Sequence, residues 1–75
     1  MEAVVTAMRR HADNAKVQEY ACGALYNLTA NNFENQQLIK RAGAGEAVKR
    51  AISAPGAMAD TKRWGQLLLD ALKNV

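Results

Sequence analysis

The chain has few of the residues that cross-link a protein or interrupt its helices. Its 75 residues include one cysteine, one proline, one histidine and five glycines. A single cysteine excludes an internal disulfide and a zinc site built from several cysteines. No apolar run approaches the ~18 residues that cross a bilayer, and the N-terminal segment is too polar for a signal peptide. We therefore expect an intracellular protein, cytoplasmic or nuclear, with no membrane partner.

Residues that favour strands are also scarce, and this shortage points to the fold class. Aromatic residues make up 5% of the chain, whereas hydrophobic residues as a whole make up 49%, with alanine the commonest residue. This composition favours helices. No segment alternates apolar and polar side chains, so we expect an all-α protein without strands.

Helical periodicity predicts five helical segments. The second and the last have the clearest apolar stripes, on which we expect the core. The predicted segments cover about 2–11, 15–30, 33–42, 46–54 and 58 or 60 to 75; the two stripes consist of Val17, Ala21, Ala24, Leu25 and Leu28, and of Trp64, Leu68, Ala71, Leu72 and Val75.

Local signals mark where these segments begin and end. Asp13 or Asn14 is suited to cap the second helix through its side-chain oxygen. The segment Ala42-Gly43-Ala44-Gly45 predicts a sharp turn, since glycine reaches left-handed backbone conformations at low cost. The segment Ser53-Ala54-Pro55-Gly56 ends the fourth helix, because proline cannot continue it.

The chain also repeats itself. Ala24-Leu25-Tyr26-Asn27-Leu28 returns 47 positions later as Ala71-Leu72-Lys73-Asn74-Val75. Glu2-Ala3-Val4, together with Ala7-Met8, returns 44 positions later as Glu46-Ala47-Val48 with Ala51-Ile52. A period in this range is typical of stacked helical repeats, which bury their apolar faces against neighbouring repeats.

The order of elements within the repeat resembles the armadillo family. A short helix and glycine turn (34–44), a medium helix (46–54) and a long helix (57–75) ending in an Ala-Leu-x-Asn-Leu block match its three helices. Segments 2–11 and 15–30 match the second and third helices of a preceding repeat. The resemblance implies a right-handed α-solenoid with a partial repeat in 1–31 and a full repeat in 32–75. HEAT repeats fit less well, because they have two helices per unit.

Since the chain begins in mid-repeat, we expect an excerpt from a longer array. Its two ends then lack neighbours, and we expect the isolated chain to be marginally stable or to self-associate. The residues expected to be uncovered are Val4, Val5 and Met8 at one end and Leu67, Leu69 and Val75 at the other.

Armadillo proteins bind extended peptides or other proteins along a groove lined by their third helices, and the resemblance implies the same role here. The motif asparagine corresponds to Asn27 and Asn74, whose amides can pair with both N–H and C=O groups of a peptide. Helical spacing places other side chains on the same face. With Asn27 lie Lys16, Tyr20 and Gly23; with Asn74 lie Arg63, Leu67 and Asp70.

These residues yield a specific hypothesis. An extended segment contacts Asn27, Asn74 and Tyr20, while Asp70 and Arg63 contribute charge selectivity. Nuclear-import receptors of this fold have a tryptophan four residues before the asparagine, where this chain has Gly23 and Asp70. The resemblance therefore does not extend to that receptor type.

No combination of residues indicates an enzyme, a cofactor site or a metal site. His11 lies beside Arg9 and Arg10 without a second metal ligand four residues away, so we interpret it as part of a solvated helix end. Cys22, next to the apolar stripe of its helix, is interpreted as a small packed hydrophobe, because no histidine lies near it in sequence. Trp64 is expected to be buried on its stripe.

Two alternatives to partner binding stay open. The repeats can serve as spacers that maintain the curvature of a longer array. The net charge of +3 and a series of basic pairs also allow a small basic nucleic-acid-binding domain. The pairs are Arg9-Arg10, Lys40-Arg41, Lys49-Arg50 and Lys62-Arg63.

Overall fold

A computed structural model describes residues 2–30 and 32–73. Within those ranges the chain is all-helical, with five α-helices and no strand, as the sequence predicts. The helices are α1 (Glu2–Arg10), α2 (Ala15–Thr29), α3 (Phe33–Arg41), α4 (Ala44–Ser53) and α5 (Ala59–Leu72). None of them combines the length and the hydropathy that crossing a membrane requires.

Local geometry confirms two of the predicted boundary signals, the cap of α2 and the glycine turn before α4. The Asn14 side chain accepts a hydrogen bond from the Val17 N–H at 3.1 Å, which caps α2. Gly43 has a φ of 84°, so the turn between α3 and α4 uses the left-handed conformation that glycine permits. α4 begins at Ala44, two residues earlier than predicted, because Gly43 alone completes the turn.

Four of the five helices form two pairs, and each helix of one pair contacts the corresponding helix of the other. We call α1 with α2 the first unit and α4 with α5 the second unit. Within each unit the two helices pack together, and between the units α1 contacts α4 while α2 contacts α5. The α2–α5 contact is the most extensive in the fold. α3 connects the units and contacts α2, α4 and α5.

The core lies on a different face of α2 than the apolar stripe predicts. Ala21 and Leu25 are buried as expected, but Ala24 and Leu28 are exposed. Cys22, placed beside the stripe from the sequence, is fully buried in the core. The prediction was wrong here because two polar residues of α2, Gln18 and Thr29, are buried on that face. The remaining core residues include Val5, Met8, Ile39, Val48, Leu68 and Leu72.

Hydrogen bonds make this polar burial possible. The Gln18 amide nitrogen donates to the carbonyl oxygens of Met8 at 3.1 Å and His11 at 2.8 Å, which satisfies carbonyls at the end of α1. The Thr29 hydroxyl donates to the Tyr26 carbonyl oxygen at 2.8 Å. A buried polar group without such partners would cost about 1–3 kcal/mol.

The expectation that α1 presents an uncovered apolar end is wrong for two of its three residues. Val5 and Met8 are buried, since α1 packs against both α2 and α4, and only Val4 is half-buried. At the other end, Leu67 is exposed and Leu69 half-buried. Val75 lies outside the described residues.

α3 is held more by hydrogen bonds than by apolar packing. Phe33 and Leu38 are exposed, and Ile39 is its buried residue. The Asn35 side chain donates to the Leu28 carbonyl oxygen at 2.8 Å, and the Gln36 side chain donates to the Thr29 carbonyl oxygen at 2.9 Å. These amides satisfy carbonyls at the C-terminal end of α2, which have no partner within that helix.

Candidate partner-binding surface

The predicted site residues lie along the outer faces of α2 and α5. On α2, Lys16, Tyr20 and Asn27 are exposed and Gly23 is half-buried. On α5, the site residues Arg63, Leu67 and Asp70 are all exposed. Because α2 and α5 are neighbours, the structure brings six of the seven predicted site residues and Leu67 onto one pair of adjacent helices. Asn74 lies outside the described residues.

Two exposed hydrophobic side chains occupy corresponding positions of this surface. Tyr20 is 69% exposed and Leu67 is 41% exposed. They are 47 positions apart, the same offset that relates the two Ala-Leu-x-Asn blocks. Each therefore presents an apolar group to solvent at the same position of its helix, where a partner can cover it.

Further along α2 than Tyr20, the helix has no side chain at Gly23 and an exposed amide at Asn27. The Asn27 side chain is exposed and has no hydrogen-bond partner among the described residues. A Cβ placed on Gly23 would have no other atom within 4 Å. A peptide backbone lying across α2 can thus approach Gly23 closely while the Asn27 amide donates to it and accepts from it.

The two predicted charge selectors already have partners on α5. Arg63 forms an ion pair with Asp60 at 3.0 Å, and its guanidinium carbon lies 5.2 Å from the centre of the Trp64 ring. Asp70 accepts a hydrogen bond from Gln66 at 3.2 Å and lies 3.7 Å from the Lys73 ammonium. Exposed pairs of this kind contribute at most about 1 kcal/mol, so an incoming charge can displace them.

An aromatic pair joins the two helices beneath this surface. The Tyr26 and Trp64 rings are 5.4 Å apart between centres and tilted by 40°. Trp64 is half-buried and packs against the core, so its predicted burial is only partial. Sequence reasoning missed this pair, although Tyr26 lies inside the repeated block. The contact joins the two helices that carry the site residues.

Cys22 is an inert group. It is fully buried, and this burial raises the pKa of its thiol from 9.0 to about 11. The thiolate is the reactive form, so a thiol that keeps its proton at neutral pH is a poor nucleophile. Within the described residues, no group of three or more His, Cys, Asp or Glu side chains is arranged to hold a metal ion.

The raised pKa of Cys22 predicts a loss of stability in alkali. The unfolded chain releases the thiol proton near pH 9, whereas the folded chain keeps it until about pH 11. Between these values the folded state binds more protons, so the free energy of unfolding falls as pH rises, by about 2–3 kcal/mol in total. Urea unfolding across this range measures the loss. The Cys22→Ala variant is the control for other titrating groups, and equal pH slopes in both proteins would contradict the prediction.

The basic pairs are not gathered on the α2–α5 surface. Arg9 and Arg50 border one crevice between α1 and α4. Lys40, Lys49 and Lys73 border a separate groove that also contains Glu46. The exposed His11 lies at the end of α1, consistent with a solvated helix end. The cations are thus spread over several faces of the fold.

Comparison with protein-family models, curated proteins and solved structures gives no match for this chain. The resemblance to armadillo repeats therefore depends on the internal repeat and on the order of the helices. The surface of α2 and α5 is therefore the basis for a proposed function.

Proposed function

We propose that this chain is a non-enzymatic binding module that holds an extended segment of a partner protein across α2 and α5. The observation that supports this most directly is the pair of exposed apolar side chains, Tyr20 and Leu67, at corresponding positions of neighbouring helices. Beside them the Asn27 amide is open to solvent. Apolar anchors next to an open amide suit a ligand that offers side chains and backbone groups together.

The proposed role of each residue in this surface follows from the chemistry of its side chain. Tyr20 offers a large, rigid contact area with little conformational entropy to lose. Asn27 pairs with peptide N–H and C=O groups, so it contributes affinity without selecting a sequence. Arg63 and Asp70 lie on α5 with opposite charges, and they favour a ligand whose own charges are placed in the reverse order. The armadillo-type solenoid provides the frame in which these rows of residues would continue.

Truncating the two central residues tests this proposal. The probe is an array of immobilised random-sequence peptides, from which the best binders are then titrated in solution. We expect Tyr20→Ala and Asn27→Ala each to weaken binding about tenfold, since an aromatic anchor or a hydrogen bond to a ligand contributes on the order of 1–1.5 kcal/mol.

Matched controls lie on α3, away from the proposed surface. Phe33→Ala removes another exposed aromatic side chain, and Gln37→Ala removes another amide. Neither control should change the affinity. Equal losses in the controls would place binding elsewhere. A wild-type chain that retains no peptide would favour the spacer role.

A further inference from the structure

Two of the grooves between packed helices of the described residues are open to solvent. The first, here the α1–α2 groove, lies between the helices of the first unit and is almost entirely apolar. The second, here the α4–α5 groove, lies between the helices of the second unit, with Leu69 and Leu72 inside it and lysines at its rim. The lining of the first groove includes Ala3, Val4, Ala7, Val17 and Ala21. The lining of the second includes Lys49, Leu69, Leu72 and Lys73.

The α1–α2 groove corresponds to a surface that the second unit buries. The sequence offset of 44 relates Ala3, Val4 and Ala7 to Ala47, Val48 and Ala51. All three of these equivalents are buried. The offset of 47 relates Ala21 to Leu68, which is also buried, and Val17 to the half-buried Trp64. In the first unit Ala3 is exposed and Val4, Ala7 and Val17 are half-buried, so most of these positions are less covered than in the second unit, whereas Ala21 is buried in both.

The first unit itself covers those positions of the second. Tyr26 contacts Trp64, and a Cβ on Gly65 would lie 3.9 Å from the Cys22 sulfur. Met8 borders the same crevice as Ala47 and Ala51. The covering surface of the first unit therefore includes side chains from both α1 and α2.

Two equivalents of that covering surface line the α4–α5 groove, whereas the equivalent of Met8 is Ile52, which packs against the core. The offset of 47 relates Cys22 to Leu69 and Tyr26 to Lys73. The same offsets relate the buried core residues Val5 and Leu25 to Lys49 and Leu72. All four of these equivalents line the groove. The chain therefore displays both halves of an interface that it already makes once between its own two units.

We propose that the occupant of the α1–α2 groove is a second copy of this chain, which covers it with its α4–α5 groove. The contact repeats the internal interface between the units. The alanines of the α1–α2 groove leave room for the half-buried Leu69 of the incoming copy. Lys49 and Lys73 lay their apolar stems on the groove and keep their ammonium groups in water.

This contact uses different surfaces on the two copies, so it does not close on itself. Every assembly keeps one free groove of each kind, one at either end, so it grows into open chains. Tyr20 borders both the α1–α2 groove and the partner-binding surface, and the other groove residues named here lie outside that surface, so self-association can be tested without substituting a peptide-binding residue.

The first measurement is sedimentation velocity of the whole chain over a series of concentrations. We expect the weight-average mass to rise above the 8.1 kDa monomer and to pass the dimer without a plateau. A monomer at all concentrations would overturn the proposal. A plateau at the dimer would overturn it too, because that result indicates a closed pair of identical surfaces.

Blocking one groove at a time tests the geometry. Ala3→Glu with Ala24→Glu places charges in the α1–α2 groove, and Leu69→Asp places one in the α4–α5 groove. Each variant alone should be monomeric, since each keeps only one working groove. Their mixture should form a 1:1 dimer and nothing larger. A mixture that stays monomeric, or a variant that pairs with itself, would overturn head-to-tail contact.

Two controls test whether a variant fails to associate because of its added charge or because it is misfolded, rather than because its groove is blocked. Ala30→Glu with Ala59→Glu adds the same charge at exposed positions outside both grooves, and this variant should associate as the wild type does. Circular dichroism of each variant checks helicity. If Leu69→Asp lowers helicity, Lys49→Glu with Gln66→Glu blocks the same groove at two exposed positions.

Discussion

Replacing Leu68 by alanine is expected to lower the free energy of unfolding by about 2–5 kcal/mol. Leu68 is fully buried on α5, which packs against both α2 and α4. A cavity there is bounded by three helices, so no single side chain can move in to fill it. A chain of this length has a total stability on the order of 4–11 kcal/mol, and the substitution removes a large share of it.

Urea unfolding followed by circular dichroism measures this loss. The neighbouring Leu67→Ala variant is the matched control, since Leu67 is exposed on the same helix. Its truncation should change stability by less than about 1 kcal/mol, because little apolar area returns to water. Similar losses in the two variants would mean that α5 presents a different face to the core.

Replacing Gly65 by valine is expected to cost about 2–3 kcal/mol. Gly65 is buried in the middle of α5, where a Cβ would collide with the Ile52 side chain and lie 3.2 Å from Cγ1 of Val48. Fitting a larger side chain there forces α4 and α5 apart or twists Ile52 from its rotamer. The gain in helix propensity over glycine, a few tenths of a kcal/mol for valine, does not offset this strain.

The matched substitution is Gly23→Val on α2. Nothing lies within 4 Å of a Cβ at Gly23, so valine meets no obstacle there. We expect its stability to stay within about 0.5 kcal/mol of the wild type, on the favourable side. Thermal unfolding of the two variants compares the same change in two helices. An equal loss of stability in both variants would show that α4 and α5 are not closely packed at Gly65.

Local features of this fold could be predicted from the sequence because their causes are local. The five helices follow from apolar spacing, and Asn14 and Gly43 mark boundaries through chemistry confined to one turn. The buried face of α2 could not be predicted in the same way. Counting apolar residues favours Ala24 and Leu28, while the structure buries Gln18 instead, and the carbonyls that satisfy Gln18 belong to another helix.

The same distinction between local and non-local causes applies to the partner-binding surface. Helical spacing predicts that Tyr20 and Asn27 share a face of α2, and the structure shows that this face is exposed. The contact between Tyr26 and Trp64 depends on which helices become neighbours, and no pattern within either helix indicates it. The ion pair of Arg63 with Asp60 was not predicted, although a three-residue spacing on a helix permits it, and neither was the position of Arg63 over the Trp64 ring.

The attachment of α3 implies an order in which this molecule opens. α1, α2, α4 and α5 are joined by buried side chains, so exposing their amide protons requires breaking the core. α3 depends largely on Ile39 and on the Asn35 and Gln36 hydrogen bonds, which water replaces at small net cost. Its detachment is a sub-global opening that needs less free energy than unfolding the whole chain. We therefore expect hydrogen exchange and proteolysis of the native protein to be fastest in α3, between the two units.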